Sequence, residues 1–512
     1  MKDFPFLSIL TLLPLVGAAV VAFIPRGKAK LAKTVALAWS VVVLALSIVM
    51  WVAFEAGGDR FQFRESYQWI PTWNARFTFA TDGIALVMLV LIALLVPLVM
   101  LASWHDVDEN ERSVPTYFAL LLALECTMIG VFAAADVFLF YVFFEVMLVP
   151  MYFIIGSFGG QRRQYAAVKF FLYSLVGGLF MLAAVIGLWV VGGHTFDWQA
   201  LTDASSSFNT GTARWLFLGF FIAFAVKAPF FPFHTWLPDA GGAAPAPAAA
   251  LLVGVLDKVG TFGILRYCLP IFPEASRWFA PAALILGVIG ILYAALLAIG
   301  QHDLKRLVSY TSIAHFGFIG IGIFAFTTQA GTGSVLYMVN HGLATGLLFL
   351  VVGMFVARRG SSLVSDFGGA GKLVPVLAGL LFFAGLASLA LPGTAPFVSE
   401  FLVLIGTFTT HKVYAVIATA GIILAAAYVL WMVQRTTQGT LNPAVEQTPA
   451  MHKDITLREK VVVAPLVLLL LLLGFYPKPV TDVINPAVQA TMQDVGKTDP
   501  VPPAVANGRV AR

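Results

Sequence analysis

Long apolar runs, each of about 20 residues, recur from one end of the chain to the other and match the length of a membrane-spanning helix. The strands of a membrane β-barrel would instead alternate apolar and polar residues. The pattern therefore predicts an all-α, polytopic membrane protein. We expect about 14 transmembrane helices, at residues 4–24, 31–54, 82–104, 114–134, 136–157, 165–191, 213–237, 244–270, 278–300, 304–326, 332–357, 374–410, 412–436 and 460–477.

Proline and glycine interrupt two of these spans, which predicts two discontinuous helices. The first interruption follows Lys227 and contains Pro229 and Pro232, and the second runs from Pro392 to Pro396. They fall in the seventh and twelfth spans, which are five spans apart. Because this number is odd, the two broken helices cross the membrane in opposite directions. Broken helices in two inverted halves are typical of an ion or substrate site near the midplane of the membrane. Ordinary proline kinks are the alternative.

Four charged residues lie within the apolar spans or beside their interruptions: Glu145, Lys227, Lys258 and Glu400. A charge inside a membrane helix costs a few kcal/mol, so it marks a functional site by default. A carboxylate and a lysine on facing helices form an ion pair or share a proton, and a lysine whose partner moves loads and releases that proton. The four residues therefore indicate a proton relay.

Three histidines extend the candidate relay: His234, His315 and His341. Imidazole titrates near neutral pH and passes protons between its two nitrogens. His234 is expected about 10 Å along the helix from Lys227 and on the same face. For each histidine, a hydrogen bond that only packs two helices is the alternative. Asp257 is expected to point about 100° away from Lys258 on a regular helix, so whether it joins the relay stays open.

Composition and charge support an integral membrane protein. The chain is 60% hydrophobic and 11% charged, with a mean hydropathy of +0.90, whereas a soluble domain is about a quarter charged. Lysine and arginine concentrate in the loops that follow odd-numbered spans, which places both chain termini on the outer side of the membrane. Arg266 is assigned to an outer loop. Lys169 is assigned to a span end from which it snorkels.

Several chemistries have no signature in this sequence. Cys126 and Cys268 have no metal-ligand or disulfide spacing, and no glycine-rich phosphate loop, haem pattern or basic nucleic-acid groove is present. We therefore expect no cofactor or metal in this chain and no nucleic-acid partner. A proton path without an energy source indicates either a gradient-driven antiporter or one subunit of a larger machine.

The motifs around the charged residues resemble a known family. They are similar to the antiporter-like subunits of respiratory complex I and of Mrp-type cation/proton antiporters, and they occupy residues 136–145, 227–240, 258–266, 303–315 and 340–342. Position 400 is a glutamate, whereas sibling subunits typically have lysine there. In this respect the sequence resembles the chain-M branch of bacterial complex I. The resemblance leaves the Mrp-type antiporter, or a membrane-bound hydrogenase complex, as the alternative.

The resemblance implies a domain organisation and a role for each residue. It implies N-terminal helices in residues 1–113, one five-helix repeat in 114–270, its inverted copy in 271–436, and an inner loop, last helix and tail in 437–512. Glu145 is the implied modulator of Lys227, Lys258 the central relay, and Glu400 the exit group. The implied partners are the neighbouring antiporter-like subunits in a bacterial plasma membrane, with NADH:quinone oxidoreductase as the enzyme.

One position departs from the family motif. The family usually has a histidine after the Leu-Pro-Asp-Ala sequence, where this chain has Gly241. An uptake step that uses this histidine therefore does not carry over, and water or Asp257 is the candidate substitute. Outside the spans, we expect an ordered outer loop at 54–80, a short surface helix at 455–459 and a disordered end at 501–512.

Overall fold

The computed structural model describes residues 4–107 and 112–499, so the predicted disordered end at 501–512 lies outside the described residues. Ten described helices are long and apolar enough to cross a membrane, or eleven if the bent pair at 457–494 is one span. The rest of the roughly 14 predicted spans correspond to shorter helices, among them Phe6–Ala22, Pro375–Ser388 and Ala395–Thr410. The protein is thus a mostly helical, multi-pass membrane protein.

The N-terminal part combines four helices with a β-hairpin. They are α1 (Phe6–Ala22), α2 (Ala29–Ala53), β1 (Gln62–Ile70), β2 (Ala75–Thr81), α3 (Gly83–Ala102) and α4 (Val114–Ala133). The antiparallel strands β1 and β2 lie in the loop that we expected to be ordered. They are the one exception, among the described residues, to the predicted all-α class.

The middle of the chain contains the first broken span. Its helices are α5 (Val137–Val146), α6 (Leu148–Phe158), α7 (Arg163–Val191), α8 (Trp198–Asp203), α9 (Thr210–Lys227), α10 (Trp236–Ala243), α11 (Ala246–Leu251), α12 (Lys258–Gly263) and α13 (Leu269–Ile271). Two π-helical segments, Leu252–Leu256 and Ile264–Cys268, join α11 to α12 and α12 to α13. No pattern in the sequence predicted these π-helical segments.

The last part of the chain contains the second broken span. Its helices are α14 (Pro273–Ile299), α15 (Leu304–Phe324), α16 (Thr328–Arg359), α17 (Pro375–Ser388), α18 (Ala395–Thr410), α19 (Lys412–Thr437), α20 (Pro443–Glu446), α21 (Leu457–Phe475) and α22 (Lys478–Asp494). Residues 457–459 form the first turn of α21, where Thr456 and Glu459 make a capping box. The surface helix expected at 455–459 is therefore wrong, and α22 was not predicted.

Two wholly buried spans form the centre of the molecule: the interrupted span α11–α13 and the long helix α16. Helix α16 packs against α3, α11, α15, α17, α18, α21 and α22. By contrast, α2, α7 and α19 expose valine, leucine and isoleucine side chains, as expected of helices that face lipid. The polar residues Lys258 and His341 lie on the two central spans, away from the lipid.

A buried ion pair connects the central span to α3. Arg266 Nη2 lies 2.6 Å from Asp82 Oδ1, and both side chains are at most 2% exposed. Asp82 also caps α3, because its carboxylate accepts a hydrogen bond from the Ala85 amide at 2.8 Å. The assignment of Arg266 to an outer loop is therefore wrong, since this residue lies inside the π-helical segment Ile264–Cys268. Phe61 of the loop before β1 covers the guanidinium at 4.7 Å.

We expect Asp82→Ala to destabilise the protein by about 3–5 kcal/mol, because it leaves the Arg266 charge buried without a partner. The measurement is the thermal unfolding midpoint of the purified protein in detergent. Asp482→Ala is the matched control, since it removes an aspartate from the solvent-exposed Lys478–Asp482 pair and should leave the midpoint unchanged. Equal midpoints for the two variants would contradict a stabilising role for the buried pair.

Candidate functional site: a line of buried polar residues

The first break ends α9 at Lys227, and residues 228–235 form a non-helical link to α10. Protein groups satisfy the carbonyls that the break releases. The Val226 carbonyl accepts a hydrogen bond from Trp236 Nε1 at 2.8 Å, and the Ala225 carbonyl accepts one from the Phe230 amide at 2.9 Å. Unpaired carbonyls are costly in a bilayer, so these internal partners make the broken helix tolerable.

The second break separates α17 from α18 and is held by α16. Asn340 Nδ2 donates a hydrogen bond to the Ala395 carbonyl at 2.7 Å, at the first residue of α18. Within the break, Gly393 has a φ of 93°, a conformation that strongly favours glycine. The two discontinuous helices predicted from the sequence are therefore confirmed.

Lys227 is completely buried, and its Nζ has no hydrogen-bond partner. The ammonium group lies 4.6 Å from the centroid of the Phe144 ring, a cation–π contact. Glu145 is half-buried at the end of α5, and a methyl group on Gly178 would overlap its carboxylate. The two charges interact electrostatically, but no hydrogen bond and no ion pair within 4.0 Å joins them. The ion pair expected of a carboxylate and a lysine on facing helices is therefore absent between Glu145 and Lys227.

Lys258 has three polar partners in the centre of the molecule. Its Nζ lies 2.6 Å from His341 Nδ1 and 3.1 Å from Asp257 Oδ1, and it donates a hydrogen bond to the Val253 carbonyl. The Phe316 ring covers the same ammonium group at 5.0 Å. Lysine, histidine and aspartate therefore form one contiguous cluster.

The sequence left open whether Asp257 joins Lys258, and the two side chains meet where the helix is not regular. The Asp257 amide donates to the Leu252 carbonyl at 3.2 Å, an i to i+5 hydrogen bond of the π-helical type. The wider turn brings the carboxylate onto the ammonium group of its sequence neighbour. Asp257 is thus the counter-charge of Lys258, and its Oδ2 remains buried without a partner.

A line of aromatic and imidazole groups continues from this cluster to Glu400. The rings of His341 and His315 have centroids 5.1 Å apart, and those of His315 and Tyr337 have centroids 5.8 Å apart. The Tyr337 hydroxyl donates a hydrogen bond to Glu400 Oε2 at 2.7 Å. Lys258, His341, His315 and Glu400 are therefore brought together as expected, with Tyr337 as an additional member.

Tyr337 was missed in the sequence. It precedes His341 by four residues, and residues at that spacing share one face of a helix. A search for polar side chains one turn from each buried histidine would have found it.

His234 lies outside this line. It occupies the non-helical link, so the helical face that we expected it to share with Lys227 does not exist. Its ring contacts those of Phe231 and Tyr293, at 5.8 and 5.3 Å between centroids. No hydrogen bond among the described residues joins His234 to Lys227 or Lys258, and its Nδ1 is buried without a partner.

A polar cavity of about 760 Å³ opens beside α10, and its wall includes Asp239, Lys305 and Arg306. Asp239 forms an ion pair with Arg306 and another with Lys169, the latter at 2.6 Å. Lys169 therefore binds α10 to α7 and does not simply snorkel. Gly241 packs against the side chain of Ser309, where even a methyl group would be crowded. The position of the family histidine is thus filled by α15.

Glu125 is a further buried carboxylate. It lies in α4, it is fully buried, and neither carboxylate oxygen has a hydrogen-bond partner. Cys126 and Cys268 are buried free thiols. Neither cysteine contributes to the line that ends at Glu400.

Comparison with known proteins defines the class. Residues 134–425 match the family model described as NADH:quinone oxidoreductase/Mrp antiporter, transmembrane. The matched segment includes both broken spans and every member of the buried line. The chain belongs to this family of antiporter-like membrane proteins.

Full-length relatives define the branch. NADH-quinone oxidoreductase subunit M of Mycobacterium tuberculosis is 46% identical over 100% of this chain and 99% of its own length. NADH-ubiquinone oxidoreductase chain 4 of Arabidopsis thaliana is 38% identical over 95% of this chain and 97% of its own length. This chain is therefore similar along its whole length to subunit M and to its mitochondrial counterpart.

Solved structures agree with the fold. A chain of respiratory complex I from Thermus thermophilus superposes with a TM-score of 0.86 and 30% identity, over 96% of this chain and 100% of that chain. A chain of the Mrp complex from Dietzia superposes with a TM-score of 0.81 and 22% identity, over 94% of this chain and 52% of that chain. At 22% identity, the second likeness shows the fold alone.

We expect Gly260→Ala to destabilise the junction between α12 and α9 by about 1–3 kcal/mol. A methyl group on Gly260 would lie 2.6 Å from the Ala228 amide nitrogen at the first break, and backbone atoms there cannot rotate away. The measurement is the unfolding midpoint in detergent. Gly379→Ala is the control, since no atom lies within 4 Å of the added methyl group and alanine favours the helix. A Gly260→Ala protein as stable as Gly379→Ala would contradict the close approach.

Proposed function

We propose that this chain is the proton-translocating subunit M of a bacterial NADH:quinone oxidoreductase. The observation that carries the proposal is the buried line from Lys258 through His341, His315 and Tyr337 to Glu400, in a chain related to subunit M along its full length. Each member is able to hold or pass a proton. The line crosses the best-buried part of the molecule, where an uncompensated charge would be most costly.

The residues of the relay have distinct roles in this proposal. Lys258 is the central proton-binding group, with Asp257 as its counter-charge. Lys227 is the proton-binding group of the first half, and Glu145 modulates it through the electrostatic interaction between them. His234 passes protons to the first half, His341 and His315 carry the proton onward, and Glu400 is the exit group.

The polar cavity beside α10 supplies the uptake route in place of the family histidine. Asp239 lies in its wall between two cations, and Gly241 leaves no room there for an imidazole. Water in this cavity would deliver protons toward the first break. Between Lys227 and Lys258 no direct hydrogen bond exists, so a transfer between them requires water or a movement of the broken helix.

The proposal includes the orientation and the setting of the chain. Residues 114–270 and 271–436 are two inverted five-helix repeats, each with one broken span, and both termini lie on the outer side of a bacterial plasma membrane. The partners are the other membrane subunits of the complex, especially the neighbouring antiporter-like subunits. The chain itself binds no cofactor. Moving one charge against 100 mV requires about 2.3 kcal/mol, which electron transfer elsewhere in the complex would provide.

We expect Lys227→Ala to abolish NADH-driven proton pumping while the complex still assembles, because it removes the proton-binding group at the first break. Pumping is measured in inverted membrane vesicles with a pH-sensitive dye, and assembly by NADH oxidation with an artificial electron acceptor. Lys478→Ala is the control, because Lys478 is exposed at the start of α22. A complex with this substitution should pump normally. Full pumping by an assembled Lys227→Ala complex would overturn the relay.

An Mrp-type antiporter or a membrane-bound hydrogenase complex is the second candidate. The superposition with a chain of the Mrp complex supports the shared fold of this second candidate. The glutamate at position 400 favours subunit M instead. We expect the affinity-tagged chain, purified from its own membranes, to bring along NADH-oxidising subunits with flavin and iron–sulfur clusters, which mass spectrometry and visible spectra detect. A small complex without flavin or clusters would favour the antiporter.

A further inference from the structure

Tyr337 lies between the two histidines of the buried line and Glu400. It is fully buried in α16, between the two histidines on one side and α18 on the other. Its hydroxyl is the only side-chain donor that reaches Glu400 among the described residues. A carboxylate at that position therefore has its connection to the rest of the line through one tyrosine.

The other side of Tyr337 faces an open hydrogen-bonding site. His315 Nδ1 is buried without a partner, and the His315 ring lies 5.8 Å from the Tyr337 ring. A buried ring nitrogen without a partner is costly unless a water or a mobile proton occupies it. A water that bridges His315 Nδ1 and the Tyr337 hydroxyl would connect the two groups.

We propose that Tyr337 is a proton-conducting residue that transfers protons between the His315–His341 pair and Glu400. This inference rests on the proposed function and identifies the last step of the relay. The protonated imidazole of His315 gives its proton to the Tyr337 oxygen, directly or through one water. The Tyr337 hydroxyl proton moves to the Glu400 carboxylate at the same time. His315 becomes neutral, Glu400 becomes the neutral acid, and Tyr337 is regenerated.

The chain contains a matched control for this step. Tyr428 of α19 is equally buried and its charge interaction with Glu400 shows that it is a neighbour, but its hydroxyl has no hydrogen-bond partner. Removing the Tyr428 hydroxyl takes away a similar group from the same surroundings without cutting the line. A difference between the two variants therefore reports the hydrogen bond to Glu400.

The experiment compares Tyr337→Phe, Tyr428→Phe, Tyr337→His and Lys227→Ala in the assembled complex. Proton pumping per NADH oxidised is measured in inverted vesicles, in H₂O and in D₂O, with assembly checked by NADH oxidation through an artificial acceptor. Proton pumping by the Tyr337→Phe complex should fall by about tenfold or more, because removing a positioned proton-transfer group lowers the rate by at least that factor. Tyr337→His should regain part of the rate with an altered solvent isotope effect, and Tyr428→Phe should pump normally.

The outcomes distinguish the role of Tyr337 from the proposed function of the whole chain. Normal pumping by Tyr337→Phe, with pumping lost in Lys227→Ala, overturns the role of Tyr337 and leaves the proposed function standing. Normal pumping by both variants overturns the proposed function itself. Equal losses in Tyr337→Phe and Tyr428→Phe would show that a buried hydroxyl near Glu400 is needed only for packing. Failure of Tyr337→His to recover any pumping in an assembled complex would also contradict proton transfer.

Discussion

The buried charge of Lys258 is the constraint on which the rest of the structure depends. An ammonium group in the middle of a membrane protein costs about 3 kcal/mol or more unless other groups replace its water shell. Here Asp257, His341 and the Val253 carbonyl surround it, with the Phe316 ring on the remaining side. The three polar partners come from two spans, α11–α13 and α16, and the Phe316 ring comes from α15. The two spans that supply the polar partners are the best-buried spans of the fold.

The irregular backbone follows from the same constraint. Lys258 lies between two π-helical segments, and the wider turn lets Asp257 reach the ammonium group of its own neighbour. The breaks at Lys227 and before Glu400 release backbone groups in the same way, and Trp236 and Asn340 bind carbonyls at these two sites. At Lys258 the irregular backbone supplies two of the polar groups around the buried charge, the Val253 carbonyl and the Asp257 carboxylate.

The two halves of the molecule differ in how completely the polar residues are connected. From Lys258 to Glu400 each group lies next to the following one, whereas the Lys227 ammonium group has only the aromatic rings of Phe144 and Phe170 against it. The first half is thus the half in which water or movement has to complete the path.

The sequence by itself determined the class, the two broken helices and most of the buried line. Each rests on a property that one residue or one short segment carries: an apolar run that only a bilayer accommodates, a proline that cannot continue a helix, a charge that is costly in lipid. Tertiary structure alone decided which groups meet. Asp257 is the partner of Lys258 beside a π-helical turn, Arg266 lies in a buried pair with Asp82 and not in a loop, and Tyr337 is bonded to Glu400. These contacts depend on how separate helices rotate and pack, and a periodicity along one helix does not contain that information.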